Sequence, residues 1–389
     1  MKGKIIRITT VPISLKVLLR GQHRFMQENG FEVIGVSSPG RELDDVHHEE
    51  GIRTETVEMT RVISPLKDLK SLWRFYKLCK KERPLMVHSH TPKAGIIGML
   101  GAKLAGVPIR LHTVAGMPLM ESAGLKRKIL NFVERFTYAC ATKVYPNSRG
   151  LYDFILKEGF TSPQKLHVIG TGSSNGIDTS FYARDQVAAD QLQRLRSELN
   201  ISEDDFVFIF VGRLVTDKGI NELIEAFSAV KSASPRSIKL LLVGSLESEL
   251  DPLAPKTLEI MAQDKDIIAV GFQKDVRPYL ALAHCLAFPS YREGFPNVVM
   301  QAGAMELPCI VSDINGCNEI VEHGQNGVIV PPKDAGALAH AMAAMVQHPE
   351  LCAQYKQKSR QMIQSRYEQV VVWSALLQEY RQLISLKGQ

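Results

Sequence analysis

A carboxylate and a helix mouth meet in the run Tyr291-Arg292-Glu293-Gly294-Phe295-Pro296-Asn297. The apolar stretch 285–288 before it reads as a strand, and residues 296–305 after it read as a helix. Glu293 therefore stands on a loop beside a helix N-terminus. The first N–H groups of a helix have no intrahelical partner and together carry roughly half a positive charge. Such a terminus takes anions and hydroxyls. A fixed acid beside open amides suits a nucleotide sugar, with its anionic diphosphate and its ring of hydroxyls. Turn chemistry alone would also place Gly294 and Pro296 here.

A second set lies upstream. Phe208-Ile209-Phe210-Val211-Gly212-Arg213 ends a buried strand on an arginine, and Lys218 follows five residues later, where a helical pattern opens. Strand end, short loop and helix start place Arg213 and Lys218 on one rim. Arginine offers a planar fork and lysine a mobile point charge, and phosphate uses both. The pair reads as a diphosphate clamp, against the plainer reading of two cations on an exposed βα loop. Further on, Gly316 and Gly327 read as turn residues. Glu319 either reaches a ligand or simply favours a helix N-terminus. His88 and His90 share one face of a strand-like segment. Two imidazoles without a third ligand make a poor metal site, so no metal is expected.

These groups must be held by regular elements. In the first half, residues 4–9, 31–37, 53–57, 85–90, 108–113, 143–147 and 166–169 read as strands. Residues 15–28, 65–81, 93–104, 125–139 and 151–157 read as helices between them. The Gly- and Ser-rich tract Gly170–Gly176 has the wrong spacing for a dinucleotide fingerprint and reads as a connection between domains. The alternation then restarts, with strands at 206–211, 238–243, 267–270, 285–288, 309–312 and 328–330. Residues 334–386 read as almost all helical. Alternating strands and helices predict parallel sheets covered on both faces. The expected class is α/β, two Rossmann-like doubly wound domains facing each other across a cleft, with ligands at the carboxyl ends of the strands. The expected domains are residues 1–178 and 179–367, with a C-terminal helix at about 368–389 packing back on the first.

Composition agrees with an ordinary globular chain of 389 residues, 45% hydrophobic and 23% charged. Six cysteines show no C-x-x-C pair, which fits a reducing, cytoplasmic setting. The N-terminus lacks an uninterrupted apolar stretch, which argues against a signal peptide. No apolar run reaches the ~18 residues of a membrane span. Charge is unevenly shared. Residues 1–180 hold 27 Lys and Arg against 16 Asp and Glu, a net +11, and the remainder nets −5. Cations and apolar residues alternate at helical spacing around Lys67–Arg83 and again after Lys126-Arg127-Lys128. Such helices suit an anionic membrane surface, or are solvated faces over a core stripe. Aromatics are not interleaved with cations as stacking platforms, so nucleic acid is not an expected partner.

Taken in order, Gly212-Arg213…Lys218-Gly219, Glu293-Gly294-Phe295-Pro296-Asn297 and Gly316…Glu319-Ile320 resemble the retaining glycosyltransferases of family 4, enzymes of the GT-B fold. The likeness covers nearly the whole chain. His90-Thr91-Pro92-Lys93-Ala94-Gly95, His112-Thr113-Val114-Ala115-Gly116, Tyr145-Pro146-Asn147-Ser148 and Asn175-Gly176-Ile177-Asp178 resemble the branch that builds capsules and other bacterial surface polysaccharides.

The resemblance implies roles. Gly212, Arg213 and Lys218 would meet the donor pyrophosphate. Glu293 and the amides of Gly294, Phe295, Pro296 and Asn297 would meet the donor sugar, although proline brings no N–H. The family's second acid falls eight residues after the first, where this chain has Gln301. Gln301 keeps an acceptor for a ribose hydroxyl but loses the charge. His112 falls where the family keeps a histidine near the reacting sugar; a locally satisfied packed histidine is the alternative. His90 and Lys93 are candidates for the acceptor's phosphate, and for Lys93 a surface lysine opening a helix is the equal alternative. Asp264-Lys265-Asp266 matches the D-x-D of the other glycosyltransferase class but precedes its strand, so it reads as a charged turn. The implied reaction moves a sugar, with retention, from a nucleoside-diphosphate sugar, UDP-linked, to a polyprenyl-diphosphate-linked saccharide. It needs no cofactor and takes place on the inner face of the cell membrane. A nucleotide-sugar epimerase of the same fold and a non-catalytic polyanion-binding protein are the alternatives.

Overall fold

Runs such as Phe206–Val211, apolar at every position, are satisfied only where both faces of a sheet are covered. The computed structural model, which describes residues 3–60, 62, 64–117, 119, 124–247, 249 and 251–387, provides two such sheets. The chain divides into two units: the first runs to Gly176 and resumes at Val370, and the second runs from Ile177 to Gln369.

The first unit contains β1 (Lys4–Ile8), α1 (Pro12–Leu18), α2 (Gln22–Glu28), β2 (Glu32–Ser37), α3 (Arg41–Glu50), β3 (Arg53–Thr56) and α4 (Pro65–Glu82). It continues with β4 (Met86–Ser89), α5 (Pro92–Ala105), β5 (Ile109–Val114), α6 (Gly124–Cys140), β6 (Lys143–Pro146) and α7 (Arg149–Lys157). The sheet is parallel in the order β3-β2-β1-β4-β5-β6. One core joins Ile6, Ile8 and Val87 to Phe75, Ile97 and Tyr138 of α4, α5 and α6. The other joins Ile5, Val33 and Leu111 to Leu15, Met26 and Leu43 of α1, α2 and α3. Successive residues Ile5 and Ile6 thus serve opposite faces, as a pleated strand requires.

The second unit contains α8 (Ala189–Glu198), β7 (Phe206–Val211), α9 (Ile220–Ala233), β8 (Ile238–Val243), α10 (Pro255–Gln263), β9 (Ile267–Gly271) and α11 (Arg277–Leu282). It then builds β10 (Cys285–Phe288), α12 (Asn297–Ala304), β11 (Cys309–Ser312), α13 (Cys317–Ile320), β12 (Gly327–Val330), α14 (Ala335–Gln347) and α15 (Pro349–Tyr367). Its order, β12-β11-β10-β7-β8-β9, repeats that of the first sheet. The last helix, α16 (Gln369–Lys387), sends Leu376, Leu377 and Tyr380 into the core of the first unit.

Two sequence expectations need correction, and one helix was not expected. Residues 15–28 are two helices, broken where Gly21 turns left-handed (φ 78°) and donates to the Glu50 carboxylate at 2.6 Å. Residues 166–169 are not a strand. Leu166 makes a single bridge to Val144, and burial of Leu166 and Ile169 accounts for their apolarity without a ladder. Helix α3 escaped notice because only Leu43, Val46 and Glu50 of its ten residues are buried. The tract Gly170–Gly176 ends the first run of the first unit and is held by hydrogen bonds. Ser173 donates its N–H to Asn147 at 2.7 Å, and Asn175 accepts from Trp373 Nε1 at 2.7 Å. Among the described residues, no helix is long and apolar enough to cross a membrane.

Candidate active site

In a doubly wound sheet the loops diverge where the strand order reverses, and that opening is where ligands sit. In the second unit the reversal falls between β7 and β10. Gly212 and Arg213 follow the end of β7, and Glu293 lies on the loop after β10. The sequence thus folds two distant motifs onto one opening.

Lys218 and Glu293 meet there, Nζ to Oε1, at 2.5 Å. Both side chains are largely withdrawn from water, 16% and 17% exposed. The Ser290 hydroxyl donates to the same carboxylate oxygen at 3.1 Å. The contact exists because the 3₁₀ turn Thr216–Lys218 lies flat against the β10 loop. Tyr291 N–H donates to Asp217 O at 2.9 Å, and the Arg292 guanidinium grips the Asp217 carboxylate at 2.5 Å. Gly219 permits this approach. Its φ is 71°, and a Cβ there would lie 2.1 Å from Pro289 O.

Arg213 behaves differently. Its Nη1 pairs with Glu247 Oε2 at 2.9 Å, beyond the end of β8, and its side chain is 49% exposed. The structure therefore brings Lys218, but not Arg213, into contact with Glu293. Glu247 was not foreseen, because it comes from a different loop.

The loop between Glu293 and α12 is held from behind. The Asn315 amide donates to Glu293 O at 3.0 Å and to Gly294 O at 2.6 Å. A Cβ on Gly316 would lie 2.5 Å from Gly294 O. Phe295 is buried with its ring 5.3 Å from that of Tyr367. Pro296 caps α12, so Asn297 opens the helix, and its first-turn amides have no partner four residues back. Glu319 lies in the first turn of α13, where its carbonyl accepts from Tyr367 Oη at 2.9 Å. Gln301 donates its amide to Tyr182 Oη at 2.9 Å. That leaves its carbonyl oxygen as the acceptor a neutral side chain can offer.

In the first unit the reversal falls between β1 and β4, and histidines cluster near it. Both nitrogens of His88 are engaged, Nδ1 with Tyr380 Oη at 2.5 Å and Nε2 with Thr113 Oγ1 at 2.7 Å. His88 thus has no nitrogen to spare for a metal. His90 is buried with Nε2 unpartnered, and burial drives its pKa well below the ordinary value. His112 is 3% exposed, meets Ser89 Oγ through Nδ1 at 2.8 Å, and is pushed down by burial to about 4. It is neutral at physiological pH. Lys93 pairs with Asp68 at 2.6 Å, tying α5 to α4. The sequence reading missed Arg7, which is fully buried, bonded to Gln22 through Nη2, and holds Nε and Nη1 without a partner. A lone arginine inside Ile5-Ile6-Arg7-Ile8 was its signal.

The Asp264 and Asp266 carboxylates are claimed by lysines. Lys231 reaches them at 2.5 and 2.6 Å, and Lys239 reaches Asp266 at 2.6 Å.

Two parallel sheets of identical strand order, each with charged groups at its reversal point, define a two-domain GT-B glycosyltransferase. Family models described as "Glycosyl transferase 4-like domain" and "Glycosyl transferases group 1" match residues 19–172 and 192–362. The chain is 32% identical to the capsular polysaccharide biosynthesis glycosyltransferase CapM of Staphylococcus aureus, over 97% of this chain and 96% of that one. It is 29% identical to the UDP-Gal:alpha-D-GlcNAc-diphosphoundecaprenol alpha-1,3-galactosyltransferase of Escherichia coli, over 88% of this chain and 89% of that one. A glycosyltransferase of Rickettsia africae superposes with a TM-score of 0.81 at 18% identity, covering 98% of this chain and 99% of the other. Anabaena HepE, solved with UDP and glucose, gives 0.80 at 17% identity, covering 98% of this chain and all of the other. The chain belongs to the family 4 glycosyltransferases, among relatives that build capsules and other polysaccharides.

Proposed function

We propose that the enzyme transfers a sugar from a nucleoside-diphosphate sugar, UDP-linked, to a hydroxyl of a polyprenyl-diphosphate-linked saccharide, with retention at the anomeric carbon. The product feeds bacterial surface-polysaccharide synthesis. The observation that carries this reading is the contact between Lys218 and Glu293 at the β7/β10 reversal. The two charges are each other's placeholder. An arriving donor replaces both, its diphosphate taking the ammonium and its sugar hydroxyls taking the carboxylate.

The first unit serves the acceptor, and an anionic bilayer presents that acceptor on the cytoplasmic face. The anomeric C–O bond breaks and its electron pair leaves with the diphosphate. Lys218, Arg213 and the mouth of α12 stabilise that growing charge, as preorganised electrostatics should. The acceptor oxygen attacks the same face, and its proton passes to a departing phosphate oxygen. His112, buried and neutral, positions rather than exchanges protons at neutral pH. Cationic side chains fill the role a divalent ion plays elsewhere, so no cofactor is invoked.

Incubation with a panel of nucleotide sugars and an extracted lipid-linked acceptor tests the proposal. Sugar appearing on the lipid supports it. An altered free nucleotide sugar would instead identify an epimerase, and no conversion would leave a binding protein.

A further inference from the structure

Buried polar atoms without a hydrogen-bond partner are few in a folded protein, and each has a cause. In the first unit they gather. His90 Nε2, Asn147 Oδ1 and Ser174 Oγ lack a partner within the protein, and all three residues line one cavity. It lies at the carboxyl end of the sheet, since His90 follows β4 and Asn147 follows β6. His90 and Asn147 are each only 5% exposed. The cavity measures about 20 Å³, room for one water-sized group. Part of its wall is apolar, built by Ile169 and by Val372 and Leu376 of α16. Ser173, also on the wall, holds a left-handed backbone (φ 69°). Serine seldom adopts that conformation, and such residues concentrate at ligand sites.

The lining decides what can enter. Among the described residues, no lysine, arginine or carboxylate lies on it. Burial, reinforced by the neighbouring His88 and Arg7, keeps His90 neutral. Asn147 directs its Nδ2 to Ala115 O at 3.4 Å, which leaves Oδ1 as an acceptor only. His88 and Thr113 also line the cavity, but they satisfy each other at 2.7 Å. An anion would meet the Asn147 oxygen with no cation on the wall. A metal ion would find no anionic ligand, and no cluster of three His, Cys, Asp or Glu that could hold one occurs among the described residues. The lining suits a group that gives one hydrogen bond and takes another, donating to Asn147 and accepting from Ser174 or His90. That group is a hydroxyl. A secondary hydroxyl would bring its sugar ring with it, whereas a primary hydroxyl arrives on a single methylene, for which the apolar wall is suited.

We infer that this cavity reads the hydroxymethyl arm of the acceptor's sugar, and so selects a hexose or hexosamine that carries the arm over 6-deoxy sugars and uronic acids. The inference rests on the proposed transfer to a saccharide acceptor served by the first unit. Ligands of a doubly wound sheet lie at the carboxyl ends of its strands, where this cavity is. Water suits the same partners, and a hydroxyl displaces it by reproducing its hydrogen bonds. A methyl group reproduces none of them and leaves buried polar atoms unpaired. A carboxylate brings a charge against Asn147 Oδ1, on a wall that holds no cation to offset it.

The test offers the full chain three synthetic acceptors with a panel of nucleotide sugars. They are polyprenyl diphosphates carrying N-acetylglucosamine, its 6-deoxy analogue, or its uronic acid. Relative to the first, kcat/KM should fall about 10–100-fold for the 6-deoxy acceptor and further for the uronic acid. The loss should appear in KM more than in kcat, because the contact lies away from the reacting bond. Ser174→Ala and Asn147→Leu make the cavity apolar. Each should weaken use of the hydroxymethyl acceptor and spare the 6-deoxy one, so the preference narrows or reverses. A damaged fold would lower both acceptors alike, so the ratio is the reading, and Ser174→Ala keeps the test alive if Asn147→Leu does not fold. Equal kcat/KM for the first two acceptors in the wild type overturns the inference and leaves a water site only. A preference that neither variant changes also overturns it. Where the synthetic acceptors receive no sugar, saturation-transfer NMR with methyl glucoside and methyl 6-deoxyglucoside reads the cavity independently of the reaction. Saturation strongest at the C6 protons of the glucoside, and lost in Ser174→Ala, supports the subsite and counts against the proposed reaction alone. No such contrast overturns the subsite.

Discussion

The imidazole of His112 occupies the space that a side chain at residue 95 would need. A Cβ on Gly95 would lie 2.6 Å from His112 Cε1. Alanine within a helix ordinarily gains about 1 kcal/mol over glycine. Here the sign reverses, because the ring is buried and cannot retreat. Gly95→Ala should destabilise the fold by about 1–3 kcal/mol in denaturant unfolding. It should also depress turnover beyond any loss of folded protein, since the displaced ring is one the resemblance places near the reacting sugar.

Lys218→Ala should lower kcat by about 10²–10³, the cost of removing one preorganised donor from a developing anion. It also leaves Glu293 partly buried and unpaired. Unliganded Lys218→Ala should therefore lose up to about 3 kcal/mol of stability. The double variant with Glu293→Ala should lose less than the sum of the two single changes. Strict additivity in that cycle would mean the ion pair contributes nothing.

Arg213 spends its charge on Glu247, and both side chains are more than a third exposed. Exposed pairs contribute roughly 0.2–1 kcal/mol. Glu247→Gln should therefore release Arg213 and tighten UDP binding by up to about fivefold, read by calorimetry. Weaker UDP binding would show Glu247 to be a ligand contact rather than a competitor.

Acid should unfold this protein early. Burial holds His112 and His284 at about 4 and keeps His23, His88 and His90 well below their ordinary value. The unfolded chain takes up these protons below pH ~6.5 and the fold does not. Stability therefore falls as pH drops from about 6.5 toward 4, by about 1.4 kcal/mol per pH unit for each such histidine. Above pH ~7 these histidines contribute no slope. His284 is held down by burial and then by nearby cations such as Arg236, and protonation would also cost the hydrogen bond that its Nδ1 accepts from Val207 N–H at 3.0 Å. Denaturant unfolding at a series of pH values checks the slope, and His284→Gln should reduce it by about one proton's share.

Much of this was legible in the amino-acid order. Continuous apolar strands and alternating helices predicted two parallel sheets, and the sheets are there. Lys218 and Glu293 were each placed at a strand-to-helix loop, and the shared reversal point explains why they meet. What stayed hidden were partners from loops distant in sequence: Glu247 for Arg213, Asp68 for Lys93, Tyr182 for Gln301. Such pairs depend on how elements stack, which periodicity does not encode. The segment 166–169 misled for a related reason, since apolar composition reports burial and not ladder pairing. Helix α3, with charge on most of its surface, offered too little apolar signal to be seen.

The placement of α16 has a consequence for biosynthesis. Its Tyr380 hydroxyl completes the hydrogen bonding of His88, and its Leu376 and Leu377 seal a core begun by Ile5. The second unit is thus translated whole before the first unit receives its closing segment. On the ribosome the first unit must wait, with one flank of its sheet uncovered, until α16 has been made.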